Sequence, residues 1–110
     1  MAIHHAKAGE IVDLRPLGGA LKNATTRAIV KSDVFEAVRL IVPAGRKIAD
    51  HQVPGAITLH CLEGRVRLGL PYAQPELAAG EWIYLDGGTM HSVTGIEDSS
   101  LLLTILFVPE

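Results

Sequence analysis

Five histidines are the side chains of this 110-residue chain best suited to ligate a metal or to carry a proton near neutral pH. His4 and His5 stand at the N-terminus, where chain ends fray and a solvated role is the default. His51, His60 and His91 fall at or beside the predicted strand ends described below. Imidazole coordinates divalent ions through a neutral ring nitrogen, and strong sites gather three or four protein donors. A single histidine near a strand is more often a hydrogen-bonded polar residue, so the case for His51 and His91 rests on their surroundings. Cys61 is the one cysteine, which excludes an intramolecular disulfide and a CxxC pair. A thiolate there would be a soft ligand, whereas a buried free cysteine behaves as a small hydrophobe. The chain offers no Ser/His/Asp nucleophile arrangement, glycine-rich phosphate loop or paired catalytic carboxylates.

The elements that would position these groups are strands. Helical periodicity is nearly absent, and short runs of β-branched and aliphatic residues alternate with turn residues, the pattern of an antiparallel all-β sandwich or barrel. The runs predict strands over about 10–15, 25–31, 33–42, 56–62, 65–70, 81–85, 91–95 and 100–108. Alternation within 33–42 puts Val34, Glu36, Val38 and Leu40 on one face and Phe35, Ala37, Arg39 and Ile41 on the other. Glu36 and Arg39 are both expected to reach solvent or a subunit contact. The last run is apolar on both faces and should be central. Trp82 and Tyr84 share a face suited to core packing or a dimer surface.

Composition sets the remaining bounds. Apolar residues make up 48% of the chain, enough to fill the core of one domain spanning 1–110. Ten basic and twelve acidic residues give a net charge of −2 with no block of like charge, which argues against a nucleic-acid partner. The longest apolar stretch, from Leu101 to Val108, is too short to span a bilayer, and the opening residues lack the apolar core of a signal peptide. A soluble cytoplasmic protein with no membrane contact is the expectation.

The surroundings of His51 and His91 carry a pattern. Gly45 precedes His51 by six positions, and Pro54 and Gly64 follow it. Gly80 is followed by five residues, then Asp86, Gly88 and, three positions further, His91. Cys61 to Gly64 read CLEG. Over about residues 30–108 these features resemble the cupin family, whose first motif is a glycine, five residues, His-x-His, a glutamate and a later glycine. Its second motif is a glycine, five residues, Pro-x-Gly, two residues, a histidine, three residues and an asparagine. The resemblance implies a double-stranded β-helix, or jelly-roll barrel, with a ligand site inside.

Complete cupins hold Fe, Mn, Ni or Zn with three histidines and the glutamate. Here Val53 stands at the second histidine, Ile57 at the glutamate, Asp86 at the motif proline and Gly95 at the closing asparagine. Two neutral imidazoles, His51 and His91, supply too few donors and no compensating charge for a divalent ion. His60 would join them only if a β-bulge turned it inward. The expectation is a degenerate metal site with no certain cofactor, in a pocket lined by Val53, Ile57, Leu59, Cys61 and Met90 that takes a small molecule. The alternatives are a metal-dependent oxygenase or isomerase with an atypical third ligand, and a non-catalytic structural or regulatory homodimer paired through the predicted N-terminal strand (Ile11, Val12, Leu14).

Overall fold

The computed structural model describes residues 5–109. His4 lies outside the described residues, and His5 is exposed. Among the described residues nine strands follow in chain order: β1 (Arg27–Lys31), β2 (Phe35–Val42), β3 (Lys47–His51), β4 (Ile57–Glu63), β5 (Arg65–Gly69), β6 (Glu76–Ala78), β7 (Trp82–Leu85), β8 (His91–Gly95) and β9 (Ser99–Leu106). They form a five-stranded sheet in the order β1-β2-β9-β4-β7 and a four-stranded sheet in the order β3-β8-β5-β6, antiparallel throughout.

The period-two pattern decides which side chains meet between the sheets. On β4 the core-facing set is Ile57, Leu59 and Cys61, and on β5 it is Val66 and Leu68, while Arg65 and Arg67 stay in water. These residues join Val42, Leu77, Leu85, Val93 and Leu101 in one contiguous apolar core. The apolar run near the C-terminus forms β9, flanked by β2 and β4, which is the expected central position.

Three expectations need correction. Residues 10–15 form no strand; they belong to an extended strap across the five-stranded sheet that leads into a 3-10 helix over Gly18–Asn23. The strap is clasped by Arg39, whose Nη2 donates to the Arg15 carbonyl (2.8 Å), Glu63 Oε2 (3.1 Å) and Ser100 Oγ (3.2 Å). Arg39 is therefore 8% exposed rather than solvated. Glu63 completes the clasp by accepting from the Leu17 N–H (3.0 Å), the Gly18 N–H (3.2 Å) and Ser100 Oγ (2.6 Å). Strands β3 and β6 were not expected, because β3 (KIADH) buries little of its length and β6 is three residues long. Their partners β8 and β5 recruit them, a tertiary effect that local alternation does not carry.

The motif glycines have a geometric cause. Gly45, Gly64, Gly80 and Gly88 all have φ between +78° and +88°. Gly64, between β4 and β5, is also crowded: a Cβ would lie 2.3 Å from the Asp98 carbonyl oxygen. No helix among the described residues is long and apolar enough to cross a membrane.

Candidate functional site

His51 closes β3 and His91 opens β8, and the register sets the two directly opposite each other after an irregularity between Ile48 and His51. The links from β3 to β4 and from β7 to β8 both run at this end of the barrel, tied by a hydrogen bond from the Gly88 N–H to the Val53 carbonyl (2.8 Å). The imidazole centroids are 4.2 Å apart with an interplanar angle of 61°, an edge-to-face contact. His91 is 3% exposed, whereas His51 opens to solvent.

Backbone carbonyls orient both rings. His51 Nδ1 lies 3.1 Å from the Ala49 oxygen and His91 Nδ1 lies 2.9 Å from the Thr89 oxygen. A carbonyl only accepts, so each Nδ1 must carry the proton, and a neutral ring then presents Nε2 as a free lone pair. This is the tautomer and the outer-shell support of a metal-binding imidazole.

The rest of a metal shell is missing. Val53 is half-buried against the core and Ile57 is 2% exposed within it. Among the described residues, no group of three or more His, Cys, Asp or Glu side chains could hold a metal ion. His60 sits between the core-facing Leu59 and Cys61, in register with Trp82 and Leu102, and so points away from the interior. The β4 irregularity falls between Cys61 and Glu63, beyond His60, and does not turn it inward. Cys61 is wholly buried with Sγ aimed at the carbonyls of Glu63 (3.5 Å) and Gly64 (3.7 Å). Burial pushes its thiol above the ordinary value, which favours an inert SH over a thiolate ligand. These residues do not fit the four-donor ion of complete cupins.

The expected pocket is also redistributed. Ile57, Leu59 and Cys61 are close-packed at 0–2% exposure and line no space for a ligand. Met90 is 41% exposed and borders a hollow with Lys47, Asp50 and Ser92, on the outer side of the four-stranded sheet. Of the five expected lining residues, Val53 alone borders a cavity at the histidine-bearing end. That cavity measures about 410 Å³ and is bounded by Glu36, Val53, Pro54, Gly55, Ile105 and the segment Leu106–Pro109.

Glu36 is the residue that sequence reasoning assigned elsewhere. Its signal was present, since Glu36 has the strand parity of Val38 and Leu40, the apolar face of β2. The wall made by Leu106–Pro109 had no such signal. That segment is placed by backbone bonds from the Leu106 N–H to the Ala56 oxygen and from the Phe107 N–H to the Val34 oxygen (both 2.9 Å).

No protein-family model and no curated protein matches the sequence. Solved structures do match the fold. A conserved protein of unknown function from Streptococcus pyogenes aligns with a TM-score of 0.76 at 17% identity, covering 100% of this chain and 97% of that one. A cupin superfamily protein from Desulfitobacterium hafniense aligns with a TM-score of 0.76 at 15% identity over 89% and 95% of the two chains. A Methanocaldococcus jannaschii RmlC-like cupin with a double-stranded β-helix fold aligns at 0.73 and 14% identity, covering 89% and 93%. The chain thus has the cupin double-stranded β-helix fold, as its glycine and histidine spacing suggested.

Proposed function

We propose that this cupin-fold barrel binds a small, largely apolar molecule at its mouth and works without a resident metal ion. The observation that carries the reading is the cavity of about 410 Å³ beside Val53, within the range of small-molecule sites and walled mostly by apolar groups. Deeper binding is disfavoured because Leu59, Cys61 and Leu101 fill the interior. Titration with uncharged 2-phenylethanol, followed by amide ¹⁵N–¹H shifts, tests it. Shifts should saturate at Gly55, Leu106 and Phe107, and Val53→Trp should abolish them by filling the space. Saturation unchanged in Val53→Trp, or no saturation in the wild type at millimolar probe, overturns the reading.

A second reading concerns self-association. The edge strand β7 exposes Trp82 (59%) and Tyr84 (52%), and we assign the homodimer contact there. The N-terminal segment is the weaker candidate, because it is an extended strap and not a strand. Sedimentation at micromolar concentration should give a dimer that Trp82→Lys dissociates. A monomeric wild type refutes this assignment.

A further inference from the structure

Among the described residues, one ionisable side chain, Glu36, borders the mouth cavity, amid apolar walls. It is half-buried on β2, with Ile105 as its register partner on β9 and Lys31 as its partner on β1. Among the described residues Glu36 makes no salt bridge or hydrogen bond through its side chain, with Lys31 or any other group. No basic side chain among the described residues borders the cavity. A carboxylate in such a place retains an unmet demand for a donor or a cation.

We propose that the cavity selects organic ammonium ions, with Glu36 as the counter-charge. The proposal rests on the small-molecule reading above and names its ligand class. An inorganic divalent ion would find one carboxylate and hydrocarbon walls, too few donors to replace its water. A primary ammonium on a hydrocarbon body matches both parts: the NH₃⁺ group donates to the carboxylate, and the body fills the space beside Val53 and Ile105. Phe107, 37% exposed, adds an aromatic group to the same wall, and a cation near a ring face is attracted to it. An organic anion would instead meet a like charge at Glu36, which opposes its binding.

The test compares three probes of similar shape, 2-phenylethylammonium, 2-phenylethanol and 3-phenylpropionate, by amide shift titration of wild type, Glu36→Gln and Asp50→Asn. Asp50 is an exposed acid bordering the separate hollow near Met90, so it controls for general surface charge. The ammonium should bind the wild type roughly tenfold or more tightly than the alcohol, a charge-assisted hydrogen bond's worth of affinity, and the carboxylate least. Glu36→Gln should bring the ammonium to the level of the alcohol, and Asp50→Asn should leave it unchanged. Equal binding of ammonium and alcohol, or an equal loss in both variants, overturns the ammonium proposal and leaves the small-molecule reading standing. Binding of none of the three at the cavity overturns both.

Discussion

The Arg39–Glu63 clasp should dominate the stability of the strap, and its contribution can be worked from the structure. The side chains of Arg39 and Glu63 are 9% and 12% exposed with N···O at 3.1 Å. An exposed ion pair is worth less than about 1 kcal/mol, whereas removing one member of a buried pair strands the other and costs about 3–5 kcal/mol. Arg39 already has its Nε buried without a partner, so Glu63→Gln leaves a cation still less compensated. The expected loss for Glu63→Gln is about 3 kcal/mol, or roughly 12–24 °C in Tm for a domain of this size. The pair Arg39→Met with Glu63→Gln should lose much less than the sum of the single changes. Urea denaturation monitored by far-UV circular dichroism gives these values, and tryptic cleavage after Lys22 in native buffer reports release of the strap. The acid limb supplies an independent check. Desolvation raises the Glu63 pKa, but hydrogen bonds from Leu17, Ser100, Gly18 and Arg39 outweigh it and hold the value below 4.5. A carboxylate depressed on folding contributes stability above its unfolded pKa and loses it as pH falls through the folded value. The gap between wild type and Glu63→Gln should therefore be widest at neutral pH and narrow as pH falls below the ordinary carboxylate value toward the depressed folded one. A loss under 1 kcal/mol at pH 7, or a gap that persists unchanged at pH 3, would refute the reasoning.

Other expectations follow from the site and the turns. Elemental analysis of protein purified without an affinity tag should find metal well below one ion per chain, with no change in His91→Ala; a stoichiometric metal lost in that variant would revive the metal-dependent enzyme. Installing the missing donors with Val53→His and Ile57→Glu should destabilise the metal-free chain, because position 57 is buried, and the addition of Zn²⁺ or Ni²⁺ should raise the Tm again. A Tm indifferent to metal in that double variant would mean that these positions do not converge with His51 and His91. Leu59→Ala should cost about 2–5 kcal/mol in urea denaturation, since the side chain is 1% exposed in the centre of the core. Gly64→Ala should prevent native folding, as judged by loss of amide shift dispersion, because backbone atoms occupy the place of a Cβ.

The parts of the molecule legible in the sequence were those encoded by short-range rules. Period-two alternation located β2, β4 and β5, a continuous apolar run located β9, and the spacing of glycines with His51 and His91 marked the turns, because each of those glycines adopts a φ that other residues avoid. The resemblance put His51 and His91 at one site, but their opposition across two strands was not legible, because β3 was not expected. What remained illegible depends on contacts between distant segments. Nothing near position 39 announces that residues 15 to 18 will cover it, so a charge on an outward face was read as solvated. The exclusion of Ile57, Leu59 and Cys61 from any pocket depends on how completely two sheets interdigitate, which parity does not reveal.

Glu36 separates these two kinds of information. Its parity with Val38 and Leu40 was visible and, taken strictly, contradicted its placement in solvent or at a subunit contact. An acid on an apolar strand face has three physical outcomes: a buried pair, a snorkel to the rim or a ligand-facing charge. The first fails because Glu36 has no ion-pair partner among the described residues. The remaining two differ in surroundings, since a rim carboxylate stands among polar groups while Glu36 borders a cavity whose other walls include Ile105 and Phe107. The loss of two ligand positions to Val53 and Ile57 then has a consistent reading. Apolar groups where donors would stand, with a lone carboxylate on β2, change the mouth from a place that coordinates an ion through several ligands to one that holds a hydrocarbon body by contact and its charge by one bond.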